Sequence, residues 1–402
     1  MSLSNTPAAE RLHIGIFGRI NAGKSSIINA VTAQNIAIVS QVKGTTTDPV
    51  YKTMELLPLG PVMIIDTPGL DDEGELGKLR IQRTYQVLNK TDIAVLVVDG
   101  VTGMSDEDNK ILSRIKDKNI PYIVAFNRAD LPDCKPDLFP GSILVSALTN
   151  QNIELLKEEI AKLSSKETNN KRIVGDILEP NDLVVLVVPI DSSAPKGRLI
   201  LPQQQTIRDI LDSDSTAIVT KDTTLKDTLA KLGQKPRLVI TDSQAFARVN
   251  KDTPNDIMLT SFSILFSRYK GKLDLQIKGA TALEKINDND YVLISEGCTH
   301  HRQCEDIGTV KLPGWINKYT KKKINFEFTG GTGFPDDLSK YALVVHCGGC
   351  MLNEREMKYR LQCAEDQNVP ITNYGVLIAY MNGILKRSVA PFKELSELLC
   401  IL

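Results

Sequence analysis

The feature that most constrains the fold is an apolar strand that runs directly into a glycine-rich loop and then a helix. The strand occupies residues 13–17 (His-Ile-Gly-Ile-Phe), the loop occupies residues 18–25 (Gly-Arg-Ile-Asn-Ala-Gly-Lys-Ser), and a helical pattern begins at Ser26. This is the P-loop arrangement, in which backbone N–H groups surround phosphates at the N-terminus of a helix. The alternation of strands and helices that follows predicts a doubly wound parallel sheet with a nucleotide at the carboxyl ends of its strands.

The polar residues of this loop have distinct expected roles. Lys24 reaches the β- and γ-phosphates of a nucleotide, and the hydroxyl of Ser25 ligates Mg²⁺. The expected nucleotide-binding residues of the loop are Gly18, Asn21, Gly23, Lys24, Ser25 and Ser26.

A second phosphate-side motif follows the buried strand at residues 62–65. It reads Asp66-Thr67-Pro68-Gly69 and resembles the third motif of Ras-like G proteins. In this position Asp66 holds Mg²⁺ through water, and the N–H of Gly69 meets the γ-phosphate.

The base-reading motif is Asn127-Arg128-Ala129-Asp130, which carries Arg where similar motifs carry Lys. Asp130 accepts two hydrogen bonds from the guanine edge, and the amino group of adenine would leave this carboxylate mispaired, so the expected nucleotide is GTP. Ser146-Ala147 matches the fifth motif, whose backbone contacts the guanine oxygen. The expected guanine site consists of Asn127, Asp130, Ser146 and Ala147.

Asn21 and the segment 43–48 (Lys-Gly-Thr-Thr-Thr-Asp) resemble the Era/TrmE class of G proteins. The resemblance implies a potassium ion beside the phosphates, bound with the help of Asn21, and Thr46 closing on Mg²⁺. Leu70 stands where Ras-type enzymes carry a glutamine that positions water, and an apolar side chain cannot orient water. Hydrolysis is therefore expected to be slow and to depend on potassium, a mobile switch or a partner. The expected catalytic residues are Lys24, Thr46, Asp66 and Gly69.

Length and local composition predict three domains. A chain of 402 residues exceeds what a single core supports. The polar, aperiodic stretch 164–171 predicts a linker, and an apolar β-branched run at 183–188 begins a second α/β unit. We predict a GTP-binding domain over 1–171, a dimerisation domain over 172–268 and a metal-binding domain over 269–402. The fold class is then α/β, a doubly wound P-loop G domain followed by two smaller α/β domains, with dimerisation assigned by analogy.

Cysteine and histidine are concentrated in residues 298–350. This window holds four of the seven cysteines and three of the four histidines, and thiolate and imidazole are ligands that zinc and iron–sulfur clusters prefer. Predicted strands at 290–295 and 341–345 end beside the two ligand groups, so neighbouring strands can bring these groups together. The set suits either a closed zinc site or a [4Fe–4S] cluster. The predicted cluster ligands are Cys298, Cys347 and Cys350, and the candidates for the fourth position are His300, His346, Glu305 and Cys304.

Taken together, these motifs resemble the HydF family of [FeFe]-hydrogenase maturation GTPases. The resemblance covers the whole chain: an Era/TrmE-type G domain, a central α/β module, and Cys-x-His followed by His-Cys-x-x-Cys. It implies a [4Fe–4S] cluster on Cys298, Cys347 and Cys350, and a scaffold for a two-iron precursor. It also implies a homodimer that works with radical-SAM hydrogenase maturases and apo-[FeFe]-hydrogenase. His300 and His346 stand at the histidine positions of the motif.

Charge and hydropathy argue against some other classes of protein. The net charge is −1 and the longest basic tract is 321–323, which argues against nucleic acid as a partner. No apolar run approaches the length of a membrane span, and the first residues lack a signal pattern, so we expect no membrane partner and a cytoplasmic location. Two other functions fit part of the sequence. One is a ribosome- or RNA-associated GTPase with a structural zinc site, and the other is a redox-sensing switch in which cluster loss alters GTP turnover.

Overall fold

The computed structural model describes residues 6–33, 49–69, 83–165, 171–190, 199–297, 307–331, 333–395 and 398. They form two compact units, Met1–Asn169 and Asn170–Leu402. The boundary lies within the polar stretch 164–171 that the sequence marks as a linker. The further division at 268/269 stays a prediction.

The first unit is built on a six-stranded sheet. Its strands are β1 (Leu12–Phe17), β2 (Val50–Leu56), β3 (Gly60–Asp66), β4 (Ile93–Asp99), β5 (Tyr122–Asn127) and β6 (Ser142–Leu144). Its helices are α1 (Lys24–Thr32), α2 (Asp106–Asp117) and α3 (Ile153–Ser165). The strand order is β2-β3-β1-β4-β5-β6, and β2 runs antiparallel to β3 while the other pairs are parallel. The predicted doubly wound α/β domain is confirmed.

Central strand β4 shows why this sheet forms. Its residues from Ile93 to Val98 are all buried, as expected for a parallel strand covered by helices on both faces. Alternate residues of the strand enter two separate hydrophobic cores, one on each face of the sheet. Helix α2 begins at a capping box between Ser105 and Asp108, which satisfies backbone N–H groups that the helix leaves without partners.

The second unit contains two four-stranded parallel sheets. The strands are β7 (Leu183–Val187), β8 (Thr216–Thr220), β9 (Leu238–Thr241), β10 (Met258–Ser261), β11 (Tyr291–Glu296), β12 (Asn325–Gly330), β13 (Tyr341–His346) and β14 (Ile371–Asn373). The helices are α4 (Leu201–Leu211), α5 (Leu225–Lys231), α6 (Phe246–Asp252), α7 (Phe262–Lys270), α8 (Leu273–Thr281), α9 (Leu312–Thr320), α10 (Glu354–Asp366), α11 (Tyr374–Met381) and α12 (Leu385–Val389). These sheets confirm the prediction of further α/β structure after the G domain.

Both sheets of the second unit have the same topology. The strand orders are β10-β9-β7-β8 and β12-β11-β13-β14, so in each sheet the first strand lies between the second and the third. In such a sheet the strand order reverses between the first and third strands, because the chain adds strands on one side of the first strand and then on its other side. Ligands bind outside the carboxyl ends of the strands at that point. In the second sheet this point lies between β11 and β13.

One hydrophobic core joins the two sheets. It contains residues of the first sheet such as Val185, of the second sheet such as Val345, and of the helices between them such as Phe266 and Ile277. Helix α7 follows β10 without a break and leads through Gly271 to α8. This helix is therefore the structural link between the two sheets.

Candidate functional site

The glycine-rich loop of the first unit has a backbone that only small or flexible residues adopt easily. Gly18 and Gly23 have φ angles of 143° and 92°, and Asn21 has φ of 62°. A Cβ atom on Gly18 would collide with the carbonyl oxygen of Val97. The loop can therefore pack against the end of β4 only because residue 18 lacks a side chain.

Lys24 spans this loop from the first turn of α1. The side chain is buried, and Nζ donates hydrogen bonds to the carbonyl oxygens of Gly18 at 2.9 Å and Arg19 at 2.8 Å. The ammonium group is therefore held across the mouth of the loop, where a nucleotide phosphate would be in reach. Ser26 lies beside it in the same turn of α1.

Two of the residues predicted to hold Mg²⁺, Ser25 and Asp66, are adjacent. The hydroxyl of Ser25 donates to Oδ2 of Asp66 across 3.5 Å. Burial raises the pKa of the Asp66 carboxyl, and the nearby Lys24 ammonium and Ser25 hydroxyl oppose that effect. Gly69 packs closely on Ile20 of the loop, since a Cβ there would lie 2.8 Å from the backbone nitrogen of Ile20. The predicted residues Thr46 and Leu70 lie outside the described residues.

Asn127 joins the phosphate and base motifs. Its Nδ2 donates to the carbonyl oxygen of Ala22 at 3.3 Å, and its Oδ1 accepts from the N–H of Ala147 at 3.1 Å. Oδ1 of Asp130 accepts a hydrogen bond from the buried Ser146 hydroxyl at 2.5 Å. The four residues predicted to read guanine are thus brought together at the carboxyl ends of β5 and β6.

Arg128 connects the P-loop to β4. Its guanidinium donates through Nη2 to the carbonyl oxygen of Asn21 at 3.0 Å and pairs through Nη1 with Oδ2 of Asp99 at 2.7 Å. A forked guanidinium can hold two partners in this way, whereas an ammonium acts as a single point charge. This bridge between the P-loop and β4 was not predicted from the sequence.

Arg19 forms a second bridge that the sequence did not predict. Its Nε lies 3.1 Å from Oδ2 of Asp108, and its Nη2 donates to the Thr102 hydroxyl at 3.0 Å. Asp108 is fully buried and also accepts from the N–H of Ser105 at the start of α2. Burial raises the pKa of the Asp108 carboxyl, while the Ser105 and Arg19 contacts lower it. The loop is thereby attached to the N-terminus of α2.

The cysteine motif of the second unit lies at the carboxyl ends of β11 and β13. Sγ of Cys347 accepts hydrogen bonds from the N–H of Gly297 at 3.1 Å and of Gly349 at 3.4 Å. The N–H of Cys347 donates to the carbonyl oxygen of Ser295 at 2.9 Å. Gly297 is the residue before Cys298 in the sequence, so the structure brings the end of β11 to the Cys347 sulfur. Cys298, His300, Cys304 and Glu305 lie outside the described residues.

Lys270 of α7 contacts the turn that holds Cys350. Its Nζ donates to the carbonyl oxygen of Leu352 at 2.9 Å and to that of Cys350 at 3.4 Å. Burial raises the pKa of the Cys350 thiol, and the charge of Lys270 acts in the opposite direction. The turn thus combines partly buried thiols with backbone N–H groups and a cation.

The His346 ring lies between the backbone of Cys347 and Arg360 of α10. It is fully buried, its Nδ1 donates to the carbonyl oxygen of Cys347 at 2.7 Å, and its Nε2 accepts from Nη1 of Arg360 at 3.0 Å. Burial and the Arg360 charge lower the pKa of His346 to about 3, so the ring is neutral. Successive residues of a strand point to opposite faces, and Cys347 packs on the core shared with the first sheet. Both ring nitrogens of His346 are therefore engaged in hydrogen bonds to groups other than the described thiols of Cys347 and Cys350.

Arg360 is one of the residues near the site that the sequence analysis did not single out. Its side chain on α10 is 1% exposed and pairs with Glu356 at 2.7 Å, besides donating to the carbonyl oxygen of Gly331 at 2.5 Å. Glu296, the last residue of β11, is also buried and accepts a hydrogen bond from the hydroxyl of Tyr374 at 3.2 Å. The Arg360–Glu356 pair follows from i,i+4 spacing on α10, whereas the contacts of Arg360 with Gly331 and of Tyr374 with Glu296 join residues far apart in the sequence.

The chemistry of the described residues fits a metal–sulfur group. Within the part of the chain that the structure describes, no group of three or more His, Cys, Asp or Glu side chains converges, and that part includes Cys347 and Cys350 but not Cys298. Two thiols on one turn, N–H groups directed at sulfur and a nearby cation are features that stabilise thiolates bound to iron. Among the described residues, no helix is both long and apolar enough to span a membrane.

Three protein-family models match the chain. Residues 13–128 match a model described as 50S ribosome-binding GTPase. Residues 173–271 match the hydrogen maturase F dimerization domain, and residues 274–391 match the hydrogen maturase F tetramerization domain. The two hydrogen maturase F models together cover more than half of the chain.

Curated relatives match part of the chain. The tRNA modification GTPase MnmE of Dechloromonas aromatica is 34% identical over 158 residues, which cover 38% of this chain and 35% of that protein. MnmE of Paraburkholderia xenovorans is 33% identical over 163 residues, covering 39% of this chain and 35% of that protein. The chain therefore spans about a third of the length of these relatives. With its P-loop GTPase domain followed by both maturase segments, the chain belongs to the hydrogen maturase F family.

Proposed function

We propose that this chain is a GTP-hydrolysing scaffold that binds a [4Fe–4S] cluster, receives a two-iron precursor and delivers it to apo-[FeFe]-hydrogenase. The observation that carries the proposal is the pair of N–H groups of Gly297 and Gly349 directed at the Cys347 sulfur. They lie at the point between β11 and β13 where a parallel sheet of this topology binds ligands.

The residues that would hold the cluster are Cys298, Cys347 and Cys350. A cluster held by three thiolates would supply an iron position with a replaceable ligand, to which cargo can attach. His300 and Glu305 stay candidates for that position. His346 stays a candidate only if its hydrogen bonds to Arg360 and the Cys347 carbonyl are broken.

The first unit would hydrolyse GTP by positioning and charge stabilisation. Lys24 and the loop N–H groups neutralise the phosphates, while Ser25, Thr46 and Asp66 hold Mg²⁺. Asp130 selects guanine. We propose slow hydrolysis that is activated by potassium near Asn21, because Leu70 cannot orient water.

Two copies of the chain would associate through β8. This strand lies at the edge of its sheet, carries no charged residue (Thr-Ala-Ile-Val-Thr), and exposes Val219 by 46%. An uncharged edge strand presents unpaired backbone groups that pair readily with a second strand. The match of residues 173–271 to a dimerization domain supports a second copy as the occupant. The other proposed partners are radical-SAM hydrogenase maturases and apo-hydrogenase in the cytoplasm, without nucleic acid or membrane.

Anaerobic purification and analysis for iron, sulfide and zinc test the proposal. We expect iron and sulfide in equal amounts, with loss of both from Cys298→Ser, Cys347→Ser and Cys350→Ser. The same variants should fail to activate apo-hydrogenase in vitro while retaining GTP hydrolysis. Stoichiometric zinc without sulfide would overturn the cluster and favour a zinc-containing GTPase of another kind.

A further inference from the structure

We propose that Lys270 is a positioning residue of the metal–sulfur site, which fixes the turn from Cys347 to Leu352 and supplies a buried positive charge beside it. This inference rests on the proposed function. It assigns a role to a side chain that lies some eighty residues from the cysteines in the sequence and belongs to a different family-model segment.

Helix α7 contacts the cysteine turn at both of its ends. Near the N-terminal end of this nine-residue helix, Oγ of Ser263 lies 4.0 Å from the position that a Cβ on Gly348 would take. At the C-terminal end, Nζ of Lys270 donates to the carbonyl oxygens of Cys350 and Leu352. The cysteine turn is therefore in contact with both ends of one helix.

The ammonium group of Lys270 is buried. Lys270 is 4% exposed, and its Nζ lies 5.7 Å from the centre of the Phe266 ring. Taking a lysine charge out of water is unfavourable, and a nearby anionic group reduces that cost. Thiolates bound to iron would be such a group, so the site and the cation stabilise each other.

Two substitutions of Lys270 distinguish the effect of its charge from the effect of its hydrogen bonds to the turn. Lys270→Gln keeps an N–H donor near the carbonyl oxygens but removes the charge, and Lys270→Met removes both. Lys272 offers a matched control, since its side chain is 40% exposed and its Nζ pairs with Glu365 at 2.5 Å on the surface. Lys272→Met therefore removes a lysine charge two positions away without touching the turn.

The test uses the full chain, reconstituted anaerobically with iron and sulfide. The midpoint potential is measured by redox titration followed by electron paramagnetic resonance, and iron release by an Fe²⁺ chelator. Reduction adds negative charge, which a nearby cation stabilises, so we expect a lower midpoint potential in both Lys270 variants. Lys270→Met should also release iron several-fold faster, and Lys272→Met should match the wild-type chain in both measurements.

The iron release and midpoint potential of the Lys270 variants decide whether Lys270 has this role. Faster iron release from Lys270→Met at an unchanged melting temperature would support the inference, as would a lowered midpoint potential in both Lys270 variants. A wild-type potential in Lys270→Gln overturns the role of the charge, even if Lys270→Met fails to fold. Absence of iron and sulfide from the wild-type chain overturns the proposed function itself, and with it this inference. The failure of the one is thus distinguishable from the failure of the other.

Discussion

Arg360 donates a hydrogen bond to Nε2 of His346 over 3.0 Å, and this ring nitrogen faces α10 and not the cysteine turn. Through Nδ1 the same ring supports the carbonyl oxygen of Cys347. The loop after β12, helix α10 and the end of β13 are thereby joined through one buried guanidinium. In this arrangement His346 orients the cysteine backbone.

Arg360→Met should strongly destabilise the chain. It leaves the His346 nitrogen and the Glu356 carboxylate without their buried partner, and breaking such a pair costs about 3–5 kcal/mol. Urea unfolding followed by fluorescence reports this directly, because the single tryptophan, Trp315, packs on the core of the second unit. Lys358→Met is the control, since its ion pair with Glu354 is half exposed and should contribute at most ~1 kcal/mol. Equal stability of the two variants would contradict the structural role of Arg360.

Arg128→Lys should weaken GTP binding. One ammonium cannot hold both the Asn21 carbonyl and Asp99, so the loop loses part of its support. A partly exposed charge-assisted contact of this kind is worth about 1 kcal/mol, or roughly a fivefold change in affinity. Titration with a fluorescent GTP analogue measures the change. Arg114 lies on α2 with its guanidinium over the Tyr85 ring. Arg114→Lys should leave the affinity for GTP unaltered.

Potassium should accelerate GTP turnover relative to sodium, and Asn21→Gly should abolish the difference. Glycine adopts the positive φ of this position without strain, so the variant removes the side chain and leaves the loop backbone intact. Phosphate release in the two salts, with nucleotide affinity as a folding control, is the measurement. Identical rates for the wild-type chain in both salts would refute the role of Asn21.

Val219→Lys should convert dimers into monomers. A charge on the exposed face of the uncharged edge strand β8 opposes pairing with a second copy. Light scattering coupled to size-exclusion chromatography gives the mass at several concentrations. Val101→Lys places the same charge on another exposed valine, in the first unit, and should keep the mass of the wild-type chain. A dimer that survives in Val219→Lys excludes β8 as the interface.

The nucleotide site was predictable because each of its motifs directly follows a strand. Parallel strands of a doubly wound sheet end at the same edge, so Ser25, Asp66 and Asp130 must lie at that edge once the strands are recognised. The contacts of Arg128 were less accessible. They depend on where the loop places the Asn21 carbonyl and where the end of β4 places the Asp99 carboxylate, and the sequence contains no periodic signal for either position.

The cysteine site was predictable only in part. The sequence indicated that strands deliver Cys298 and Cys347, but it placed the end of the second strand at residue 345. The strand continues to His346, and alternation along one more residue separates His346 from Cys347 on opposite faces. Lys270 and Arg360 reach the site through tertiary packing, from helices whose spacing carries no metal-binding pattern.

The common core beneath the two sheets of the second unit has a thermodynamic consequence. Apolar residues from both segments bury each other, so cutting the chain between α7 and α8 would expose core on each fragment. We therefore expect segments 173–271 and 274–391, which match two separate family models, to unfold in a single cooperative transition measured by calorimetry. Neither segment is expected to fold stably when it is expressed without the other. A ligand that binds the cysteine turn should therefore also raise the temperature at which the edge strand β8 unfolds.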